Sequence, residues 1–346
     1  MNSDLHTFLR KPGKAYGGLL LAGIGLAASF LYVRAHTRRA EADNPPRGRF
    51  IEVDGVRLHY IERGSGPTLV LLHGNGVMAN DFENSGLLDK AAAHYRVIAF
   101  DRPGFGYSER PRSRVWTPQA QARLLRHALQ DIGVDSAIVL GHSWGTLVAL
   151  SMALEVPGFV RGLVLLSGYY YPSWRADVPL VSWPALPLLG DLMRYTVSPL
   201  AARMLWRPLT KTVFSPQPVD ARFQRTPIWM LLRPKQLRAS AADSALMIPA
   251  AKALAGRYAE LKMPVAVIAG THDKVVDFGH NAERLGERLP HGELHLQPGV
   301  GHMTHYAHPD KVLAAVESIA AQAGETRYRR DPQAEALARA AGEVGV

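Results

Sequence analysis

Cysteine is absent from the 346 residues. That excludes disulfide frameworks, zinc–cysteine and iron–sulfur sites, and a thiolate nucleophile. It leaves the compartment open, because a thiol-free chain works in oxidising and reducing surroundings alike. Acidic residues are also short in number: 30 Asp and Glu stand against 40 Lys and Arg, a net charge of +10. Aromatic residues reach only 8%, yet apolar residues together make up 47%, which supplies a sizeable buried core and argues against a disordered chain. No internal repeat is apparent.

The basic excess is local. Residues 1–50 carry eight basic and three acidic side chains, 51–171 carry eleven of each, 172–262 carry thirteen and five, and 263–346 carry eight and eleven. Two stretches therefore need their own explanation. No nucleic-acid-binding motif accompanies the basic residues of either, so nucleic acid is not an expected partner.

Residues 15–33 (AYGGLLLAGIGLAASFLYV) form an uncharged apolar run. At helical rise these residues reach about 28 Å, close to the thickness of a bilayer's hydrocarbon core. Arg10, Lys11 and Lys14 lie before the run and Arg34, Arg38 and Arg39 after it, with Tyr16 and Tyr32 near its ends as interfacial anchors. The pattern predicts a basic segment at 1–14 and a single-pass transmembrane helix at 15–33. The alternative is a cleaved signal peptide, for which Ala40-Glu41-Ala42 offers a small-x-small site. The long apolar core and the arginines ahead of that site favour an anchor. Both flanks are basic, so orientation stays open, although Arg47 and Arg49 lean toward a cytoplasmic catalytic domain. Residues 34–49 read as a linker, polar and proline-containing from residue 40.

The remaining chain alternates strands and helices. Residues 50–64 hold two strand-like runs joined at Asp54-Gly55, a hairpin turn signal. TLVLLHG (68–74), RVIAFDRPG (96–104), AIVLGHS (137–143), VRGLVLLS (160–167), PVAVIAG (264–270) and ELHLQPG (293–299) read as further strands. The most continuous apolar runs suit strands buried on both faces. Helical stretches such as 117–133 separate them. This alternation implies an α/β fold with a mostly parallel sheet. Residues 172–262 break the rhythm with 11 of the 24 prolines and four of the six tryptophans, and read as a helical insertion after the sixth strand. The expected division is a first core part at 50–171, a cap at 172–262, a second core part at 263–323 and a tail at 324–346 that carries no assignable chemistry.

Chemistry-bearing residues gather at the strand ends. Gly141-His142-Ser143-Trp144-Gly145 fits G-x-S-x-G. The motif is common by chance, but here it follows an apolar strand and opens a helix. Such a sharp turn lifts a serine hydroxyl above the sheet and needs small residues on either side, which Gly141 and Gly145 supply. The bland alternative is a serine that caps the helix. A serine nucleophile needs a base, and the base an orienting carboxylate. Asp273 follows PVAVIAG and His302 follows ELHLQPG, in the chain order Ser, acid, base. Asp277 is a rival acid; His305 and His308 are rival bases. Two oxyanion donors are expected, the backbone N–H groups of Trp144 and of Asn75 in the loop His73-Gly74-Asn75-Gly76. His73 is read as holding that loop and taking no part in proton transfer.

In order, HGNG (73–76), DRPGFGYSERP (101–111), GHSWG (141–145), GTHDKVV (270–276) and GVGHMTHYAHP (299–309) resemble the successive blocks of the α/β-hydrolase family. The resemblance spans about residues 50–323, interrupted by the cap. It implies an eight-stranded sheet, a lid after strand six, and hydrolysis through an acyl-enzyme with Ser143 as nucleophile, Asp273 as acid and His302 as base. Relatives that cleave epoxides or carbon–halogen bonds carry aspartate at the nucleophile position, so serine here argues against both. Ala307 stands where many relatives carry glutamate, and most small relatives lack an N-terminal anchor.

The expected activity is that of a membrane-anchored serine hydrolase needing neither metal nor organic cofactor. A hydrophobic carboxylic ester is the favoured substrate. Thioesters, amides or peptides, lactones and carbon–carbon bonds are alternatives for the same residues, and a non-catalytic binding protein is an alternative of a different class. The cap's tryptophans and methionines fit either an acyl pocket or the cap's own packing. Its basic excess points to a membrane surface or anionic substrates, with a solvated lid surface as the plainer reading.

Overall fold

The structure is a computed structural model that describes the backbone of residues 12–156 and 158–330 and the side chains of 16–156 and 158–324. Arg10, Lys11 and the end of the C-terminal tail lie outside the described residues.

Eight strands form one sheet: β1 (Arg49–Val53), β2 (Val56–Arg63), β3 (Thr68–Leu72), β4 (Arg96–Phe100), β5 (Ala137–His142), β6 (Val160–Leu166), β7 (Val265–Gly270) and β8 (Gly292–Gln297). Their spatial order is β1-β2-β4-β3-β5-β6-β7-β8. β1 pairs antiparallel with β2 and β2 with β4; the other pairings are parallel. At the first hairpin Asp54 and Gly55 have φ of 50° and 71°, the left-handed pair that a two-residue turn matched to strand twist requires.

The continuous apolar runs are explained by burial on both faces. Val70, Leu72, Val139, Leu165 and Val267 pack into one core; Leu69, Leu71, Ile138, Leu140 and Ile268 alternate into the other. α4 (Pro118–Asp131) and α5 (Gly145–Glu155) cover the first face. Thr117 caps α4 by accepting the Ala120 N–H at 3.2 Å, and Pro118 follows at the first turn, where its missing N–H costs nothing. The second face is covered by α2 (Asn80–Ser85), α3 (Leu87–Ala91) and the C-terminal helix Pro309–Arg330.

The insertion between β6 and β7 is helical throughout its principal elements: α6 (Asp177–Ser182), α7 (Leu189–Tyr195), α8 (Val197–Phe214), α9 (Ile228–Leu231) and α10 (Pro234–Leu254). The cap's charge is less exposed than counting implies. Arg194 and Arg233 are buried, bound to Asp191 and Glu41 respectively.

The apolar N-terminal run lies in α1 (Pro12–Asp43), which is longer than the segment it contains. Residues 34–43, expected as linker, continue the helix: the stretch is rich in Ala, Arg and Glu, and Pro45-Pro46 ends it. Five residues, 44–48, separate it from β1. Side chains 16–28 are exposed, whereas from Ser29 onward one side of α1 packs against the cap. Ser29 Oγ donates to Thr196 O at 2.8 Å, and the Phe30 and Tyr195 rings lie 6.1 Å apart. Tyr32 meets Trp229, and Ala40 is buried with Met78, Met230 and Leu231.

Candidate active site

Parallel order puts the carboxyl ends of β3, β5, β7 and β8 along one edge, and the loops leaving them carry the residues singled out above. β5 ends at His142 and α5 begins at Gly145, so the chain reverses within Ser143 and Trp144. Ser143 has φ of 51°, a left-handed conformation that a side chain adopts at a cost. It is held there by its N–H on Leu166 O (2.8 Å) and by the Thr146 N–H on its carbonyl (3.0 Å). A Cβ on Gly141 would lie 2.7 Å from Gly145 O, and one on Gly145 would overlap the Leu72 carbonyl oxygen. Neither position has room for a side chain, which explains the two glycines of the motif.

Asp273 and His302 meet: Asp273 Oδ2 lies 2.7 Å from His302 Nδ1, while its Oδ1 accepts the N–H groups of Val275 (2.7 Å) and Val276 (3.0 Å). Both side chains are nearly fully buried. The carboxylate fixes the imidazole so that Nδ1 donates to it and Nε2 is the free acceptor. The rivals are engaged elsewhere. Asp277 accepts the His280 N–H at 2.6 Å, His305 pairs with Asp81 at 3.0 Å, and His308 is half-buried outside the cavity described below.

Ser143 and His302 line one cavity of about 310 Å³ beneath the cap, together with Asn75 and Trp144. No Ser143–His302 hydrogen bond is present among the described residues; such contacts are often long before substrate binds. Neither the Asn75 nor the Trp144 N–H has an acceptor among the described residues, so both are available to an oxyanion. The cap contributes Val181, Trp206, Leu209, Val213 and Met247. Arg175 and Asp177 also line the cavity but neutralise one another through contacts of 2.9 and 2.8 Å. The basic excess of the cap is thus not concentrated on its inner wall. A larger cleft, about 560 Å³, lies between the end of α1, β2 and α2 and contains none of Ser143, Asp273 and His302.

Behind the Asn75 loop stands a hub that sequence reasoning missed. Arg102 is fully buried. Its guanidinium donates to His73 O (2.8 Å), Gly74 O (3.1 Å), Gln121 Oε1 (3.0 Å) and Asp243 Oδ2 (2.7 Å). One side chain therefore fixes the loop before Asn75 and binds it to α10 of the cap. Asp243 also receives Arg110 at 2.8 Å, and its backbone carbonyl accepts Trp144 Nε1 at 2.9 Å. His73 is locked in the same network. Its Nε2 accepts the Arg102 N–H at 3.0 Å, and its Nδ1 lies 2.8 Å from Gly74 O. Burial and the neighbouring Arg102 charge hold its pKa down to about 3, so it is a neutral hydrogen-bonding strut. The signal for Arg102 was its place in the block after β4; nothing in the sequence marks Asp243, 141 residues away.

Beneath Ser143, donor atoms of Asp81, His142 and His305 lie within 4.8 Å of one another, the composition of a possible metal site. Asp81 is already engaged by Tyr306 Oη at 2.8 Å and by His305 at 3.0 Å. His142 Nε2 lies 3.2 Å from His302 O, and burial, with His305 and His302 alongside, holds its pKa well below the ordinary imidazole range. Hydrogen bonds tie Asp81 to His305 and Tyr306, and His142 to the His302 backbone, while His142 Nδ1 and His305 Nδ1 are buried without a partner among the described residues.

A serine at a strained strand–helix turn, an acid–imidazole pair and two amides without acceptors thus meet around one cavity at the carboxyl edge of an α/β sheet, the kind of constellation a hydrolase site uses. Residues 67–309 match the family described as alpha/beta hydrolase fold. The chain belongs to that family. It is 28% identical over 296 residues to a 2-hydroxymuconate semialdehyde hydrolase of Pseudomonas putida, covering 82% of this chain and 98% of that one. A haloalkane dehalogenase 2 of Mycobacterium tuberculosis is 30% identical over 129 residues, 37% of this chain and 44% of that protein. Among solved structures, a bacterial membrane phospholipase A described as a virulence factor superposes with a TM-score of 0.62 at 23% identity. It covers 91% of this chain and 99% of its own, whereas seven other solved structures cover 78–80% of this chain.

Proposed function

We propose that this protein is a serine hydrolase that cleaves a hydrophobic carboxylic ester and is held at a membrane by α1. The observation that carries the reading is the convergence on one apolar-walled cavity of Ser143, a His302 oriented by Asp273, and two unengaged amides. Ser143 Oγ attacks the ester carbonyl carbon and its proton passes to His302 Nε2. The carbonyl oxygen becomes an oxyanion bound by the Asn75 and Trp144 N–H groups. His302 then gives its proton to the leaving alkoxide as the carbon–oxygen bond breaks, leaving an acyl-enzyme. Water, deprotonated by His302, attacks the acyl carbon and releases the acid and Ser143. Asp273 keeps His302 in the required tautomer and stabilises the imidazolium.

Membrane attachment is supported by the length and exposure of the apolar part of α1. A lipid-like ester fits both that attachment and the cavity's apolar wall, and the likeness of fold to the membrane phospholipase A is in keeping with it. A second reading, a carbon–carbon bond hydrolase, is favoured by the similarity to the 2-hydroxymuconate semialdehyde hydrolase over nearly its full length.

The test is labelling by a fluorophosphonate probe together with turnover of esters, thioesters, amides and a 2-hydroxymuconate semialdehyde by the detergent-solubilised chain. Ester turnover and labelling, both lost in Ser143→Ala with the fold intact, are expected. An unlabelled wild-type protein, or a Ser143→Ala variant with undiminished turnover, refutes the reading.

A further inference from the structure

Large apolar side chains are exposed in two places. Of 23 such residues among the described ones, eight lie on α1 and thirteen between Trp174 and Leu209 of the cap, leaving Val115 and Leu294 as the exceptions. So many exposed apolar groups within one short segment exceed the scatter of single apolar residues expected on a surface and point to an interaction face. Its geometry relative to α1 decides what covers it.

The apolar part of α1 that projects free of the body, 16–28, is about 20 Å long at helical rise. A hydrocarbon core is about 30 Å thick. The missing length is supplied by 29–33, which lie beside the cap, where Ser29 bonds Thr196 and Phe30 packs near Tyr195. A crossing close to the membrane normal therefore carries the adjoining part of the cap below the hydrocarbon boundary by about 8 Å, one and a half helical turns, and tilting the helix deepens it further. The contact region is built for such a place: Thr196 is buried, its carbonyl satisfied by Ser29 and its hydroxyl by Leu192 O. Trp174 and Trp183 are exposed on the same segment, the residue type favoured at the membrane interface.

Charge agrees. α8 exposes Arg203, Arg207 and Lys211 at four-residue spacing beside Met204, Leu205 and Leu209, an apolar stripe edged by cations. None of those three has a carboxylate partner among the described residues, and the acids of the segment, Asp177 and Asp191, are held by Arg175 and by Arg112 and Arg194. Val181 and Leu209 belong both to this exposed face and to the lining of the Ser143 cavity.

We propose that the outer face of the cap from Trp174 to Leu209 is a second membrane-contact surface. In this arrangement α6, α7 and the first part of α8 lie in the headgroup–acyl boundary of an anionic phospholipid bilayer, and the cavity mouth opens to the acyl layer. The proposal rests on reading α1 as a membrane span. It deepens the substrate assignment: a fatty-acyl ester reaches Ser143 sideways from the leaflet, without crossing water.

The absence of cysteine makes a clean test. Single cysteines are placed at Leu188, Met204 and, at the opposite end of the sheet, Asp135, in full-length Ser143→Ala protein reconstituted into phosphatidylglycerol–phosphatidylethanolamine vesicles. Each carries an environment-sensitive nitrobenzoxadiazole label. Blue-shifted emission at 188 and 204, quenched by lipids spin-labelled on the acyl chain, is expected, with the label at 135 in water. Labels at 188 and 204 that remain in water overturn the proposal, as does energy transfer between labelled copies with no lipid quenching, which assigns the face to a second copy. This readout needs no turnover, so it stands or falls separately from the serine chemistry. In the active chain, Leu188→Asp/Met204→Asp should keep turnover of a water-soluble short-chain ester and lose at least about tenfold on a long-chain ester presented in vesicles; equal losses on both overturn it.

Discussion

Asp243→Ala isolates what the Arg102 hub contributes. The substitution removes Arg102 Nη1–Oδ2 at 2.7 Å and Arg110 Nη1–Oδ1 at 2.8 Å. Arg102 keeps its neutral acceptors on His73, Gly74 and Gln121 but loses its counter-charge in a site with no exposure. An uncompensated buried cation of this kind costs about 3–5 kcal/mol. At about 2 °C per kcal/mol for a domain this size, the melting temperature falls by about 6–10 °C. The comparison is Lys90→Ala, which breaks an ion pair of the same length, 2.7 Å to Asp310, but with partners 45% and 78% exposed. Solvent screening limits that loss to about 1 kcal/mol. Catalysis adds a second readout. The carbonyls held by Arg102 immediately precede Asn75, so Asp243→Ala should lower kcat for a short-chain ester, while Asp243→Asn, which retains shape and a hydrogen-bond acceptor, should lie between it and wild type. Thermal unfolding in detergent and steady-state ester kinetics measure both. Equal melting shifts for Asp243→Ala and Lys90→Ala, with kcat unchanged, would refute the hub.

The remaining predictions concern the acid and the buried imidazoles. Asp273→Asn should reduce kcat by about 10⁴, through loss of the His302 tautomer. Asp277→Asn, whose side-chain oxygen can still accept the His280 N–H, should leave both stability and kcat near wild type; a reversed ranking in steady-state assays reassigns the acid. His73 should make the protein acid-labile. Below pH 6.5 its imidazole binds a proton when unfolded, yet in the folded state it does so only near pH 3. Stability present above pH 6.5 is therefore lost at about 1.4 kcal/mol per pH unit as the pH falls toward 3. Denaturant unfolding across that range should show a shallower slope in His73→Asn, and an unchanged slope contradicts the assignment. Asp101 acts lower. Burial raises its pKa, but His59 and the Ala79 amide outweigh that and bring it to about 2, so its contribution is lost only between about pH 3.8 and 2.

Local signals carried most of the architecture. Continuous apolar runs ending in glycine located the buried strands, and Asp54-Gly55 located the hairpin, because two-face burial and a left-handed turn each restrict residue type at consecutive positions. The same holds for Ser143 between its two glycines, where backbone contact forbids a Cβ. What stayed hidden depends on pairs far apart in sequence. Arg102 meets Asp243 across 141 residues, and His305 meets Asp81 across 224. A lone buried charge leaves no local pattern, so Arg194 and Arg233 simply counted toward the cap's basic excess. The boundary of α1 was misread because polar helix formers and a polar linker share a composition; the tertiary contacts of Ala40 and Glu41 show which they are.

Those contacts bear on how the protein should be handled. Glu41 is the carboxylate on the fully buried Arg233, and Ala40 closes the small apolar cluster of Met78, Met230 and Leu231. Processing at the Ala40–Ala42 site, or a laboratory truncation begun after α1, would strip an ion from its counterion and bare a patch of the body, in addition to removing any anchor. A shortened chain prepared for solubility should therefore be sticky and less stable for reasons unrelated to lipid. Its sluggishness toward a substrate would not by itself show that the enzyme needs a bilayer. Cutting before Ser29 instead, which leaves the cap-bound half of α1 in place, separates the tether from the brace.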